Sequence, residues 1–390
     1  MDSIRNIVVS IIVMMLYFAA LVSMHDAWNA VALYAVLPCA FMLTFLKSGI
    51  IKANNSFATL MILYMWILFV ALFTTDVALT VRQLKQIVGC IIVSYIVAIQ
   101  AKNEKVIPWL YVVYVILYAV CIEYAMSNIV DTIEIGEERV DDEKLNANTL
   151  AYYTFYNTFI LFIFGEIMDH KWIGKLFRIL FFAIIPISLW IAYITASRQV
   201  LILQVPLFVI LMFMRYWNYG SKKSKLFIVI FSCLLIMVSS KYIVPIFQDS
   251  LLMERAEDIG EDSRLRLISE AIDIGFSNPI VGVGPGCVRL YTSDGAFSHN
   301  TFLELFAGTG LIGMIIFMVM LWRFLSVQIK RYMVTKDKMF MYFFIFGLFF
   351  VFDQIFFVFY AQLWLISFFM LVASHSETYF HLQYKKLIYD

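Results

Sequence analysis

Two arginines and one histidine stand where stability alone does not explain a charge. Arg264 opens the segment SRLRLISEAIDIG at 263–275, in which Leu265, Leu267, Ile268, Ala271, Ile272 and Ile274 recur with helical period on one broad arc. Arg266, Ser269, Glu270 and Asp273 take the opposite arc, where Arg266 can pair with Glu270 at i, i+4. Arg264 falls at the centre of the apolar arc and beside the helix start, where the macrodipole disfavours a cation by roughly 0.3 to 1 kcal/mol. A functional task for that charge competes with snorkelling, the stem on an apolar surface and the head in water. Arg198, in TASRQV, lies between two apolar runs, and such a cation is either functional or an interfacial anchor. His299 precedes Asn300 and the sequence TFLE at 301–304, which has the S/T-x-x-E form of a capping box. That reading opens a helix at Thr301 and favours Glu304 as a cap over the alternative, a catalytic acid. It also sets His299 just outside a helix N-terminus, where free N–H groups and the dipole favour an anion. Two guanidinium groups converging there with an imidazole would make an anion site with a titratable partner.

Other residues carry weaker signals. Arg82 and Lys85, with Gln86 and Gly89 on the same helical face, add positive charge or anchor a helix end. Tyr152, Tyr153, Tyr156 and Asn157 line a sugar groove or belong to an interfacial aromatic belt. GVGPG at 282–286 follows no strand and lacks the G-x-G-x-x-G form, so a tight re-entrant turn explains it better than phosphate binding. Gly308, Gly310 and Gly313 in GTGLIG read as close-packing positions between helices. The acidic run Asp131, Glu134, Glu137, Glu138, Asp141, Asp142 and Glu143 has no D-x-D spacing, and reads as a solvated loop rather than a metal site. Of five cysteines only Cys287 falls in a long polar stretch, which gives no disulfide framework.

The elements that must position these groups are set by composition. Hydrophobic residues make up 63% of the 390 and charged residues 15%, far from the quarter charged of soluble domains, so lipid must be the solvent. Nothing in the formal charge of +1 points to nucleic acid. Apolar runs long enough to span occur near 7–24, 28–46, 57–74, 84–101, 106–126, 148–167, 176–196, 199–216, 226–246, 301–324, 339–354 and 357–375. The expectation is an all-α polytopic membrane protein of about 12 spans, with short helices in a long external loop. Asp353 and Gln354 are the sole polar interruption between the last two runs, which predicts a tight turn there. With the amino terminus inside, about two-thirds of the 29 Lys and Arg fall on the cytoplasmic side, as the positive-inside rule demands. Three regions follow: 1–246 with nine spans and the acidic external loop near 127–147, an external loop at 247–300, and 301–390 with the last three spans and a cytoplasmic tail. The run after Arg5 has no A-x-A cleavage site before His25 and Asp26, and reads as a retained span.

Read together, SRQV at 197–200, a helix opening with Arg264, NPIVGVGPG at 278–286 and HNTFLELFAGTGLIG at 299–313 resemble the O-antigen ligase and Wzy-type polymerase superfamily. The likeness is strongest over about 195–315, and it is the order of the motifs that is specific. One departure is Ile268, where many relatives carry tryptophan four positions after the arginine. The resemblance implies a bacterial glycosyltransferase of the cytoplasmic (inner) membrane that moves glycan assembled on undecaprenyl pyrophosphate at the outer face, and the charge distribution places both termini in the cytoplasm. It assigns the donor pyrophosphate to Arg198 and Arg264 and the acceptor hydroxyl to His299, with inversion at the anomeric centre. Arg82, Lys85, Asn300 and Tyr152 are the further substrate-binding candidates. No metal or cofactor is implied. The expected partners are the lipid-linked oligosaccharide and the bilayer, with a chain-length regulator and a flippase as candidate companions. Polymerase, ligase and anion transporter are the three competing activities.

Overall fold

The computed structural model describes residues 32–48, 55–135, 147–168, 172–195, 197–216, 263–358 and 360–389, with a few isolated positions between 222 and 237. Among these, every regular element is helical. A π-helical turn at Ala32–Val36 leads into α1 (Leu37–Ser48), followed by α2 (Asn55–Val70), α3 (Val77–Gln100), α4 (Ile107–Ile135), α5 (Ala147–Ile167), α6 (Trp172–Ile194) and α7 (Arg198–Tyr216). Then come α8 (Ser263–Ser277), α9 (Thr301–Thr335), α10 (Met339–Phe356) and α11 (Leu363–Tyr389). Asn55–Phe73, Val77–Gln100, Trp172–Ala192, Thr301–Thr335 and Met339–Phe356 are long and apolar enough to cross a membrane. Shorter apolar helices occur at Tyr34–Leu46, Ile107–Val120 and Ile202–Tyr216. The expected run at 7–24, most of that at 226–246 and much of the acidic loop lie outside the described residues.

Several boundaries depart from the apolar runs for identifiable reasons. α3 starts at Val77, seven residues before its run, because Asp76 caps it, Oδ1 accepting from Leu79 N at 2.8 Å. Asp353 and Gln354 make no turn. Both are fully buried in the last turn of α10, where Gln354 Nε2 donates to Phe350 O at 3.1 Å, and the chain reverses only after Phe356. The expected tail after 375 continues as helix α11, tied down by Arg331 Nη1 to Ser376 Oγ at 2.8 Å and Thr378 Oγ1 to Ala101 O at 2.8 Å.

The chain divides into two compact units, residues 1–113 with 263–390, and residues 114–262. In the first, α2, α3, α9, α10 and α11 pack around a core containing Tyr64, Phe317, Phe340, Phe346 and Phe369. Several of its polar groups find partners inside the unit, as a hydrocarbon surrounding favours. Tyr64 Oη donates to Tyr360 O at 2.9 Å, and Thr301 Oγ1 to Phe357 O at 2.7 Å. In the second unit α5 packs on α6 and α7. Gln204 Nε2 donates to Thr158 Oγ1 at 2.7 Å, and the Thr154 and Ser188 hydroxyls lie 3.1 Å apart.

At 35 residues α9 would run about 50 Å as a continuous helix. It is instead broken at Gly310, whose φ of 74° and ψ of 178° no side-chain-bearing residue adopts readily. The break frees backbone groups that a loop then satisfies. Val283 N donates to Ala307 O at 2.9 Å, Gly284 N to Gly308 O at 3.0 Å, and Leu311 N to Pro279 O at 2.8 Å. Trp66 Nε1 takes Thr309 O at 2.9 Å. GVGPG is therefore a turn inserted against a helix break, as expected of a re-entrant turn. For Gly308 and Gly310 the close neighbour is this loop rather than another helix: a Cβ on Gly310 would lie 2.0 Å from Ile280 O.

Candidate functional site

The loop between α8 and α9 is fastened at three levels within the first unit. Its base is stitched to the start of α3. Thr75 Oγ1 donates to Val283 O at 3.0 Å and Thr80 Oγ1 to Pro285 O at 3.1 Å, while the Cys287 thiol, fully buried, lies 3.2 Å from Thr74 Oγ1. Cys287 is thus an anchor of the loop rather than an exposed residue. Its middle joins Ala271, Ile274 and Ala307 in one apolar cluster through Val283, Cys287 and Val288, so α8, the loop and the first half of α9 share a core. Its tip is clipped to α8. Arg266 Nη2 donates to Asp294 Oδ1 at 2.6 Å and Oδ2 at 2.8 Å, and Ser293 N donates to Glu270 Oε2 at 3.0 Å. Arg266 and Glu270 were expected to form a solvated pair along the helix. Both reach across to the loop instead, 28 and 23 residues away.

α8 buries Leu267, Ala271 and Ile274, and Arg264 lies three residues before Leu267 on the line of that stripe. The side chain itself is exposed, as are those of Leu265 and Arg266. The buried arc is thus narrower than the sequence pattern and Arg264 marks its open end. The arginine comes close enough to His299 for its charge to act on the imidazole. Burial, the larger effect, and the Arg264 guanidinium both hold His299 below its ordinary value, leaving the ring neutral at pH 7. A neutral imidazole beside a fixed cation can accept a proton while the cation holds an anion.

His299 has φ 54°, a left-handed conformation uncommon for a non-glycine residue. It is followed by the true cap of α9, which is Asn300 rather than Thr301. Asn300 Oδ1 accepts from Phe302 N at 2.9 Å and Leu303 N at 3.1 Å. Thr301 begins the helix and Glu304 reaches back beyond the cap: its Oε2 accepts from Ser298 N at 3.1 Å and lies 3.0 Å from Ser298 Oγ. The capping-box reading was therefore displaced by one residue, because asparagine satisfies two amides where threonine would satisfy one.

The remaining candidates are distributed as follows. Arg82 and Lys85 are exposed near the start of α3, the end against which the loop is stitched. Arg198 begins α7 in the second unit. Tyr152 is there too, fully buried, its hydroxyl donating to Gln199 Oε1 at 2.8 Å, so it fixes the residue next to Arg198. Tyr153, Tyr156 and Asn157 are likewise buried, not arrayed in an interfacial belt. Structure thus joins Arg264 and His299, adds Asn300 as the cap between them and α9, and reveals a neighbour that the sequence did not single out. Arg289, on a 3-10 turn at Val288–Leu290, lies over the Phe297 ring at 4.3 Å, and its charge bears on Glu304 and Tyr360. Among the described residues no group of three or more His, Cys, Asp and Glu is placed to hold a metal ion.

Residues 181–318 match the family model described as O-antigen ligase, a stretch that takes in Arg198, Arg264, His299 and the helix break. Over that stretch the chain is similar to the O-antigen ligase family. No curated protein matches the sequence. In the matched stretch the loop at 278–300 does two things at once: it plugs the α9 break and carries the histidine to the exposed end of α8. The match, together with five described helices long and apolar enough to cross a membrane, supports an integral membrane protein related to the O-antigen ligases.

Proposed function

We propose that the protein is a surface-polysaccharide polymerase. It transfers a growing glycan from undecaprenyl pyrophosphate onto a lipid-linked repeat unit at the outer face of the bacterial cytoplasmic membrane. The observation that carries this reading is Arg264 beside a neutral, partly buried His299 at the start of α9. His299 takes the proton from an acceptor hydroxyl as its oxygen attacks the anomeric carbon. The bond from that carbon to the pyrophosphate breaks, and undecaprenyl pyrophosphate leaves with its negative charge held by Arg264 and Arg198. Planar guanidinium groups suit that task because they grip phosphate oxygens in pairs. Attack opposite the leaving group inverts the centre, and no metal is used. About 12 spans, both termini in the cytoplasm and an external loop at 247–300 complete the proposal, supported by the distribution of Lys and Arg.

Ligase-type transfer to a different acceptor uses the same residues. A transporter, the reading from another class, gains one point from the broken α9. It loses it again, because Ala307 O, Gly308 O and Thr309 O are taken by Val283 N, Gly284 N and Trp66 Nε1, which leaves those carbonyls occupied rather than facing an ion. The test is the purified chain in proteoliposomes given undecaprenyl-pyrophosphate-linked repeat units alone. A ladder of lengthened, lipid-linked glycans supports polymerase. Transfer that appears only when a second acceptor is added supports ligase, and uptake without new linkages supports transport.

A further inference from the structure

We propose that Glu304 is the positioning carboxylate of His299, acting through the backbone of Ser298. The inference rests on the reading of His299 as the group that takes the acceptor proton.

Glu304 is 1% exposed, and nothing about helix capping requires it there, since Asn300 already satisfies the amides of Phe302 and Leu303. A buried carboxylate is costly unless its bonds serve something. Its Oε2 receives two donors from one residue, Ser298 N at 3.1 Å and Ser298 Oγ at 3.0 Å. The Ser298 hydroxyl also lies 3.1 Å from Asn300 O, so its single proton is shared across the histidine between them. His299 is thereby pinned from both sides, through Ser298 to Glu304 and through Asn300 to the amides of α9. That double hold keeps it at φ 54° and fixes the direction in which the imidazole leaves the chain. The counter-charge is local: Arg289, held over Phe297, acts on the Glu304 carboxylate. The second carboxylate oxygen, Oε1, is buried with no hydrogen-bond partner, so the bonds to Ser298 are what this side chain secures among the described residues.

A positioning residue acts only through the group it positions. Its removal costs turnover while His299 is present and nothing once His299 is gone, whereas an independent structural role costs the same factor in both backgrounds. The experiment measures transfer per folded molecule, at saturating and at limiting lipid-linked donor, for Glu304→Ala, Glu304→Gln, Ser298→Ala, His299→Ala and the Glu304→Ala, His299→Ala double variant. Misplacing a reacting group by about 1 Å is worth on the order of a hundredfold, so Glu304→Ala should lower kcat by about that factor with KM for donor little changed. Glu304→Gln keeps an oxygen that accepts from Ser298 and should fall only a few fold. Ser298→Ala, a milder change that keeps the backbone donor, should also cost a few fold and serves if Glu304→Ala does not fold. Matching rates for His299→Ala and the double variant support the proposal. Equal losses in both backgrounds, or a Gln variant as poor as Ala, overturn it. His299→Ala at the parental rate sinks the functional reading and this inference together.

Discussion

Replacing Gly310 by alanine tests the helix break on which the site is built. The native φ of 74° and ψ of 178° belong to a region open essentially to glycine, and holding alanine there costs about 1 to 3 kcal/mol. The added Cβ would also lie 2.0 Å from Ile280 O and 2.3 Å from its carbonyl carbon, so the loop backbone has to move. Three bonds depend on that loop staying in place, Leu311 N to Pro279 O, Val283 N to Ala307 O and Gly284 N to Gly308 O. At about 0.5 to 1.5 kcal/mol each, losing them brings the total to roughly 3 to 7 kcal/mol. That is a large share of the 5 to 15 kcal/mol typical of a folded chain. Gly295→Ala is the control. Its φ is also positive, 62°, but nothing lies within 4 Å of its Cβ, so it should cost only about 1 to 2 kcal/mol. The assay is thermal unfolding of both variants in the same detergent, followed by size-exclusion of the heated samples. Gly310→Ala should be recovered in far lower yield or melt well below Gly295→Ala. Equal melting of the two would refute the argument that the loop fills the break.

Other outcomes follow from the same geometry. Because a protonated His299 cannot take the acceptor proton, transfer should fall as pH drops through the His299 value, which burial and Arg264 hold below the ordinary histidine range; removing the cation in Arg264→Gln should move that acidic limit upward, read as a midpoint in a pH profile of residual transfer. Arg266→Ala and Asp294→Ala each cut one clip between α8 and the loop; as half-exposed partners they should cost at most about 1 kcal/mol of stability and a few fold in transfer, with the double variant no worse than either single. Transfer should survive EDTA, and full loss restored by magnesium or manganese would contradict the metal-free mechanism.

The apolar runs were legible because lipid demands long stretches without charge, and ten of the α-helices described, all but α8, lie on runs visible in the sequence. What the runs hid was the polar detail. Asp76 begins α3 well before its apolar stretch, and Asp353 and Gln354 are buried inside α10, where the Gln354 amide is bonded back to the Phe350 carbonyl. Arg264 and His299 could be singled out since each breaks a local rule, an arginine on an apolar arc and a histidine before a helix start. Glu304 and Arg289 break none. A glutamate in the first turn of a helix is ordinary, and only the folded geometry shows that Glu304 reaches back past the cap to Ser298. Arg266 was read as a helix-surface residue for a similar reason: sequence spacing offers Glu270 as a partner, while the fold offers Asp294. The break at Gly310 was half visible, as a glycine cluster, but whether a helix or a loop would occupy the space depended on the turn at 278–286.

The measurement closest to the central claim separates donor binding from transfer in one preparation. Purified parent, His299→Ala, Arg264→Lys and Arg198→Lys are reconstituted at matched protein levels, and each is assayed for retention of undecaprenyl-pyrophosphate-linked glycan and for lengthening of it. His299→Ala should retain donor and lose transfer by about a hundredfold to ten-thousandfold, the usual cost of removing a general base. Both lysine variants should keep their charge yet lose donor retention and transfer together, since the planar fork is gone. Parental lengthening by His299→Ala and Arg264→Lys would contradict the account.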